Sequence, residues 1–195
     1  MVILLDNGHG VDTAGKRSPD GRLREYKWAR ELAVLVERGL RAKGLDARRI
    51  VTEDKDISLS ERCRRVNAVC GQYGKGNVLL VSIHNNAAGD GSRWMSARGF
   101  TAWVYTGAGK AARELALIFQ TLSGTMGLNG NRSIPARMYF EAGFYILKHT
   151  ACAAVLTENL FQDNREDVEF LLSDAGKAAL SRLHVDAICK YLGVK

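Results

Sequence analysis

Three apolar segments of this sequence each lead into a side chain that can bind a metal ion or transfer a proton. The segments and the residues that follow them are Val2 to Leu5 with His9, Val78 to Ile83 with His84, and Ala153 to Leu156 with Glu158. Short apolar runs rich in β-branched residues are typical of buried strands in a mostly parallel sheet. The carboxyl ends of such strands line one edge of the sheet, where ligand sites form. We therefore expect the two histidines and the glutamate to converge there.

The two histidines, together with one further carboxylate, could form a catalytic metal site. Catalytic zinc sites typically use about three protein ligands from His, Asp or Glu and keep a position for water. His9 and His84 would supply two nitrogens. Glu25 fits as the carboxylate, because the loop after the first strand returns to the same edge before the next helix begins. Since the helix dipole alone also favours a glutamate in a first turn, an ordinary solvated acid is the alternative for Glu25.

Strand and helix patterns alternate along the chain and predict the framework that positions these side chains. A helix with Trp28 and Leu35 on its apolar face is expected to stop at Gly44. The segment from Ser123 to Gly143 is rich in Gly and Asn, has no clear period, and predicts a surface loop. The strand that follows is expected to end at Glu158.

Length and composition fit a single domain that folds without cross-links. The chain has 195 residues, of which 46% are hydrophobic and 25% charged, so it can bury a sizeable core. The four cysteines lie within apolar patterns without paired CxxC spacing, which indicates buried thiols. The sequence therefore predicts one α/β domain over residues 1–195, with a mostly parallel twisted sheet and helices on both faces.

The net charge favours an anionic partner. The formal charge is +7 and the sequence pI is about 9.4, which suits nucleic acid or a polymer of the bacterial envelope. The basic clusters at Arg48 to Arg49 and Arg62 to Arg65 lie on strand-like and helix-like patterns, where a solvated face is the alternative. Because no zinc-finger, RNP or helix-turn-helix signature is present, we expect no nucleic-acid partner.

No segment has the pattern of a targeting peptide or a membrane span. Met1 leads directly into the first strand without a basic leader or a cleavage site. No apolar run approaches the roughly 20 residues that a spanning helix needs. We therefore expect no membrane insertion, and the route of export stays open.

Four further polar side chains have less specific patterns. His184 lies on the apolar face of the last helix and is expected in the core, whereas His149 suits an ordinary surface role. Asn86 could orient His84 or bind substrate, with a turn at the strand end as the alternative. Asn67 could likewise support substrate binding, with capping or bridging to a loop as the alternative.

Four segments, in order, resemble the motifs of the family 3 N-acetylmuramoyl-L-alanine amidases, the bacterial and phage enzymes that cut the peptide from peptidoglycan glycan. These segments are Leu4 to Gly10, Leu23 to Lys27, Ser82 to Ala87 and Val155 to Asn159, while Leu59 to Arg62 with Asn67 resemble the family's intervening helix. The resemblance runs from residue 2 to the end of the chain. Asn7 replaces the family's usual proline, Glu53 its common arginine, and Asn159 to Phe161 its small-residue continuation.

This resemblance implies a phosphorylase/hydrolase-like fold and an assignment for each site residue. Zinc would be held by His9, Glu25 and His84, and Glu158 would act as the general base. The expected reaction is hydrolysis of the amide bond between N-acetylmuramic acid and L-alanine, with peptidoglycan as the partner and the bacterial cell wall or periplasm as the place of action. A monomer is expected, and a phage or prophage lysin or a truncated chain would fit the missing export signal.

Two other functions stay open from the sequence. A related zinc peptidase, such as a carboxypeptidase, would use the same ligands on another bond. A non-catalytic wall-binding or regulatory module could keep the fold without the activity. The intact set of His9, Glu25, His84 and Glu158 argues against this second alternative.

Overall fold

The strands predicted from the apolar segments pair into one six-stranded sheet. The computed structural model describes residues 1–194. Its strands are β1 (Val2–Asn7), β2 (Asp46–Arg49), β3 (Val78–Asn86), β4 (Thr101–Tyr105), β5 (Phe140–Ala142) and β6 (Ala153–Phe161). Its helices are α1 (Glu25–Ala42), α2 (Leu59–Tyr73), α3 (Lys110–Thr125), α4 (Tyr145–His149), α5 (Arg165–Leu172) and α6 (Asp174–Leu192), and a short 3₁₀ helix covers Lys75–Asn77.

The strand order places the three chemistry-bearing strands side by side. The order is β2-β1-β3-β6-β4-β5, and the first four strands are mutually parallel. Strand β4 pairs antiparallel with β6 and parallel with β5. In the β3–β6 register, His84 lies opposite Glu158. Because β1, β3 and β6 are neighbours and run in the same direction, their carboxyl ends share one edge, as expected.

Two apolar layers cover the two faces of the sheet. Ile3 and Leu5 of β1 pack into the layer that includes α1, α3 and α6, whereas Val2 and Leu4 pack into the layer that includes α2 and α4. All four side chains are buried, so residues 2–5 form a continuous apolar run rather than an alternating one. Each such side chain contributes roughly 1.5–3 kcal/mol when it is fully buried. The predicted α/β architecture with helices on both faces is confirmed.

The first helix illustrates how the apolar spacing works. Trp28 is buried and its Nε1 donates to the carbonyl oxygen of Leu171 at 2.9 Å. The helix ends at Ala42, and Gly44 follows with a φ of 75°, a left-handed conformation that favours glycine. The predicted stop at Gly44 is therefore confirmed. Leu35, which was expected on the apolar face, is 36% exposed.

Two sequence predictions about element boundaries are wrong. The segment from Ser123 to Gly143 is not all loop, because β5 forms at Phe140–Ala142 and pairs with β4. Strand β6 does not end at Glu158 but continues to Phe161, because β3 also continues and pairs with it beyond an irregularity between His84 and Asn86. Glu158 is therefore held on both sides by strand backbone.

The four cysteines are unpaired, as their positions in apolar patterns predict. All four cysteines carry free thiols, three of them are buried, and Cys152 is partly buried. No helix within residues 1–194 combines the length and the apolar character needed to cross a membrane.

His184 lies in the core, as its position on the last helix predicts. Its Nδ1 lies 2.8 Å from the carbonyl oxygen of Leu180, and its Nε2 lies 3.0 Å from Thr157 Oγ1. Since a carbonyl can only accept, Nδ1 carries the proton and Nε2 accepts from the hydroxyl. Burial lowers the pKa of His184 to about 4, so this imidazole stays neutral in the folded protein.

We expect the free energy of unfolding to fall as the pH drops from 6.5 towards 4. In this window the unfolded chain takes up a proton at His184 that the folded chain does not. This proton uptake lowers the free energy of unfolding by about 3 kcal/mol. The stabilising contribution of neutral His184 is fully present at pH values above the ordinary histidine pKa of about 6.5. Denaturant unfolding across the window should show a shallower pH slope for His184→Gln. An equal slope in His184→Gln and wild type would contradict the assignment, and exposed His149→Gln serves as the control.

Candidate metal centre

His9, Glu25 and His84 converge at the carboxyl edge of the sheet. His9 follows β1, His84 lies near the end of β3, and Glu25 is the first residue of α1. Glu25 Oε1 lies 3.4 Å from His9 Nε2 and 3.1 Å from His84 Nδ1. The three ligand atoms all lie within 4.8 Å of one another. The structure thus brings together the three residues that the sequence proposed as ligands.

Two of the donor separations in this group are close to those of a tetrahedral zinc site. Zinc bonds of about 2.0–2.2 Å to nitrogen and oxygen place neighbouring tetrahedral ligands about 3.3–3.6 Å apart. The two separations from Glu25 Oε1, 3.1 and 3.4 Å, lie close to that range. Glu25 Oε2 is buried and has no hydrogen-bond partner within residues 1–194. A buried carboxylate beside two imidazoles is a donor set that a divalent cation satisfies.

The backbone around His9 is shaped for close approach of the ligands. His9 has a φ of 60°, a left-handed conformation that is unusual for a residue other than glycine. A Cβ on Gly8 would lie 2.2 Å from Cε1 of His84, so a side chain at this position would displace the imidazole. Glycine at position 8 therefore leaves room for the second histidine.

The electrostatics of the three side chains favour a cation. Burial opposes ionisation of Glu25, but its hydrogen bonds to His84 and His9 hold the pKa of this carboxyl well below its usual range. Burial likewise disfavours protonation of His84. The hydrogen bond to Glu25 and its negative charge outweigh this effect and raise the pKa of the imidazole. The amide N–H of Asn85 donates to Glu25 Oε1 at 3.0 Å and fixes the carboxylate. The centre therefore attracts positive charge, as a metal site requires.

Glu158 lies beside this group on the neighbouring strand. Burial raises the pKa of Glu158 to about 7, while the positive charge of His84 opposes the rise. Its Oε2 is buried and has no hydrogen-bond partner within residues 1–194. A carboxyl with a pKa near neutrality can both accept and return a proton at physiological pH. This property suits a general base.

Arg62 stabilises the turn that contains His9 through hydrogen bonds to its backbone. Its side chain is only 2% exposed to solvent. Its donors reach acceptors at Asp6 Oδ1 (2.5 Å), the carbonyl oxygens of Asn7 (2.7 Å), His9 (3.2 Å) and Ile57 (2.7 Å), and Asp56 Oδ1 (2.9 Å). This buried guanidinium therefore joins the end of β1 to the start of α2.

Replacing Arg62 by methionine is expected to lower the free energy of unfolding by about 3–5 kcal/mol, because an uncompensated charge is left buried. The charge left without a partner is that of Asp6, which is 1% exposed and would keep only the hydrogen bond donated by Ser82 Oγ. Denaturant unfolding measures the loss. Arg64→Met is the matched control, since Arg64 lies on the same helix and is exposed. Equal stability of the two variants would contradict a structural role for the buried pair.

The two asparagines proposed as supporting residues make local contacts. Asn86 Oδ1 accepts from the amide of Ala87 at 2.9 Å, which matches a turn at the strand end. Asn67 Nδ2 donates to the carbonyl oxygen of His149, and Asn67 Oδ1 accepts from the amide of Ala151. Asn67 therefore bridges α2 to the segment before β6. These contacts favour the structural alternatives, and a substrate role for either residue stays a prediction.

Asn159 is a supporting residue that the sequence reasoning did not single out. Its Nδ2 donates to the carbonyl oxygen of His84 at 3.0 Å and also contacts Thr157. Asn85 Nδ2 in turn donates to the carbonyl oxygen of Asn159 at 2.7 Å. One feature of the sequence could have identified Asn159: it follows the glutamate at a position where the family usually has a small residue. Leu160, the next residue, has a φ of 64° and is buried.

The fold and this site define an α/β protein with a candidate metal centre at the carboxyl edge of its sheet. The chain belongs to the N-acetylmuramoyl-L-alanine amidase family, whose model matches residues 3–190. It is 27% identical over 193 residues to the N-acetylmuramoyl-L-alanine amidase CwlM of Bacillus licheniformis, covering 97% of this chain and 68% of that protein. It is 25% identical over 199 residues to the endolysin of Bacillus phage SPP1, covering 100% of this chain and 67% of that protein.

Solved structures agree with the fold. The catalytic domain of the amidase CwlV from Bacillus (Paenibacillus) polymyxa var. colistinus superimposes with a TM-score of 0.80 at 21% identity. The match covers 100% of this chain and 99% of that domain. The six-stranded, mostly parallel architecture is therefore that of amidase catalytic domains.

Proposed function

We propose that this chain is a zinc-dependent hydrolase of the amide bond between N-acetylmuramic acid and L-alanine in peptidoglycan. The observation that carries the proposal is the meeting of His9, Glu25 and His84 at one sheet edge with Glu158 beside them. Membership of the amidase family supports the substrate. The net charge of +7 suits an anionic wall.

His9, Glu25 and His84 would hold the metal ion, and each is prepared for this by its surroundings. Zinc in such a site polarises a carbonyl and lowers the pKa of water. Asn85 and Asn159 fix Glu25 and the backbone of His84, so the ligands are positioned before binding. The ionised state of Glu25 is the state that a ligand needs.

Glu158 performs the proton transfers. Its carboxylate accepts a proton from the water molecule that attacks the lactyl carbonyl carbon. When the carbon–nitrogen bond breaks, the same carboxyl returns the proton to the nitrogen of L-alanine, which departs as a free amine. A pKa of about 7 allows both steps near neutral pH. No serine or cysteine nucleophile is required.

The place of action follows from the substrate. We propose that the chain acts on the bacterial wall, either as a phage-type lysin or in wall remodelling. Similarity to a phage endolysin and to a bacterial N-acetylmuramoyl-L-alanine amidase supports this proposal.

Digestion of purified peptidoglycan tests the proposed bond. Mass spectrometry of the products should reveal stem peptides with a free L-alanine amino terminus and glycan strands of unchanged length. Release of free terminal amino acids would instead identify a carboxypeptidase. Binding to the wall without any product, in a zinc-loaded protein, would identify a non-catalytic module.

A further inference from the structure

Three cations on the loop before α1 lie beside the candidate metal centre without acidic partners. Lys16, Arg17 and Arg24, here called the basic cluster, are all exposed. None of them forms an ion pair within residues 1–194. Arg22 of the same loop, by contrast, pairs with both Asp20 and Glu169. The positive charge of the cluster is therefore not neutralised by any acidic side chain among the residues that the structure describes.

Two members of the basic cluster are placed where their charges repel each other. Arg17 and Arg24 are direct partners in an isolated antiparallel β-bridge. Like charges directly opposite each other across paired strands are destabilising. An anion bound between them would relieve this repulsion, so the pairing is an arrangement that favours an anionic ligand.

The backbone of this loop is anchored beneath the three cations. The amide of Ser18 donates to the carbonyl oxygen of Leu23 at 2.9 Å, and the amide of Leu23 donates to Ser18 Oγ at 3.0 Å. Both residues are fully buried. Because the backbone beneath the cluster is anchored, little ordering of the backbone is needed when a ligand binds.

The basic cluster is directly joined to the candidate metal centre. The amide of Glu25 donates to the carbonyl oxygen of Lys16 at 3.0 Å. A cavity of about 130 Å³ is lined by all three cations together with Thr13 and Tyr26. It has room for a carboxylate.

We infer that the basic cluster binds the free α-carboxylate of the second residue of the peptidoglycan stem, an inference that rests on the proposed function. This residue follows L-alanine and is a glutamate joined through its side-chain carboxyl, so its α-carboxylate is either free or amidated. One residue spans only about 3.3–3.6 Å, which places this group a short distance from the scissile amide. Arg and Lys bind carboxylates through strong, charge-assisted hydrogen bonds.

Two muropeptides that differ in one group test the inference. N-acetylmuramoyl-L-alanyl-D-isoglutamate carries the carboxylate, and the D-isoglutamine analogue carries a neutral amide of the same shape. Zinc-loaded wild-type protein should prefer the carboxylate in kcat/KM by about tenfold, the factor that one charge-assisted hydrogen bond supplies. The double variant Arg17→Gln/Arg24→Gln should lower this ratio towards one. Arg22→Gln is the matched control, because Arg22 lies on the same loop and is already paired.

Each result has a distinct meaning. Equal hydrolysis of both muropeptides by wild type would overturn the inference and leave the amidase function in place. Hydrolysis of neither, by folded and zinc-loaded protein, would overturn the proposed function and the inference with it. Loss of the preference in Arg22→Gln as well would show a general effect of positive charge and would also overturn the inference. A thermal midpoint of the double variant at or above that of wild type would support it, since removal of the repulsion is expected to stabilise the loop.

Discussion

Glu158→Gln is expected to lower kcat by about 10²–10⁴-fold while zinc remains bound, because glutamine keeps the shape of the side chain but cannot accept a proton. The ligands His9, Glu25 and His84 are unchanged in this variant, so metal content should equal that of wild type. The raised pKa of Glu158, about 7, also predicts that wild-type activity falls as this carboxyl becomes protonated at lower pH. Steady-state hydrolysis of a muropeptide, with metal analysis of the same samples, measures both quantities.

A matched control separates this effect from a general loss of charge. Glu166 lies on α5, is exposed, and pairs with Arg98 at the surface. Glu166→Gln should therefore keep the wild-type kcat. If Glu158→Gln turned over substrate at the rate of the control, the assignment of Glu158 as the general base would be wrong.

His84→Ala is expected to lose both zinc and activity. Removal of an outer-shell partner of a metal ligand typically lowers metal affinity by about 10–100-fold, so removal of the ligand itself should exceed this. The variant also leaves Glu25 ionised and buried with one fewer partner, because His84 Nδ1 lies 3.1 Å from Glu25 Oε1. Equilibrium dialysis with zinc, followed by metal analysis, gives the affinity directly.

The control for the ligand variant is His149→Ala, because His149 is exposed and outside the metal-ligand group. This variant should bind zinc as tightly as wild type. A His84→Ala protein that retained wild-type zinc affinity would place the metal elsewhere. Circular dichroism of the two variants shows whether each has kept the fold.

The framework of the site was predictable because its central strands begin with continuous apolar runs. β1, β3 and β6 are buried on both faces, so each appears in the sequence as a continuous run that stops at a polar residue. A parallel sheet then places the ends of such runs at one edge. His9 and His84 could be assigned to that edge by this reasoning alone.

Glu25 required more than periodicity. It comes from a loop and a first helical turn, where a solvated acid has the same local sequence. Only its likeness to the family's second ligand segment distinguished it before the structure placed its Oε1 within 3.4 Å of His9.

Other features depend on contacts between distant residues and leave no local pattern. β5 has only three half-buried residues, and its pairing with β4 decides that it forms a strand. The extension of β6 beyond Glu158 follows from the length of β3. Arg62 belongs to a basic run that suits a solvated face, yet its partner Asp6 lies 56 residues away and draws it into the interior. Arg17 and Arg24 likewise become bridge partners only when the loop is folded.

The most direct test of this account is the metal content and activity of the protein before and after exhaustive chelation. We predict that the purified protein contains about one zinc ion per chain, the content of a mononuclear site. Chelation should abolish peptidoglycan hydrolysis, and added zinc should restore both occupancy and rate. Full activity in protein from which all metal has been removed would contradict the assignment of His9, Glu25 and His84 as the ligands of a catalytic ion.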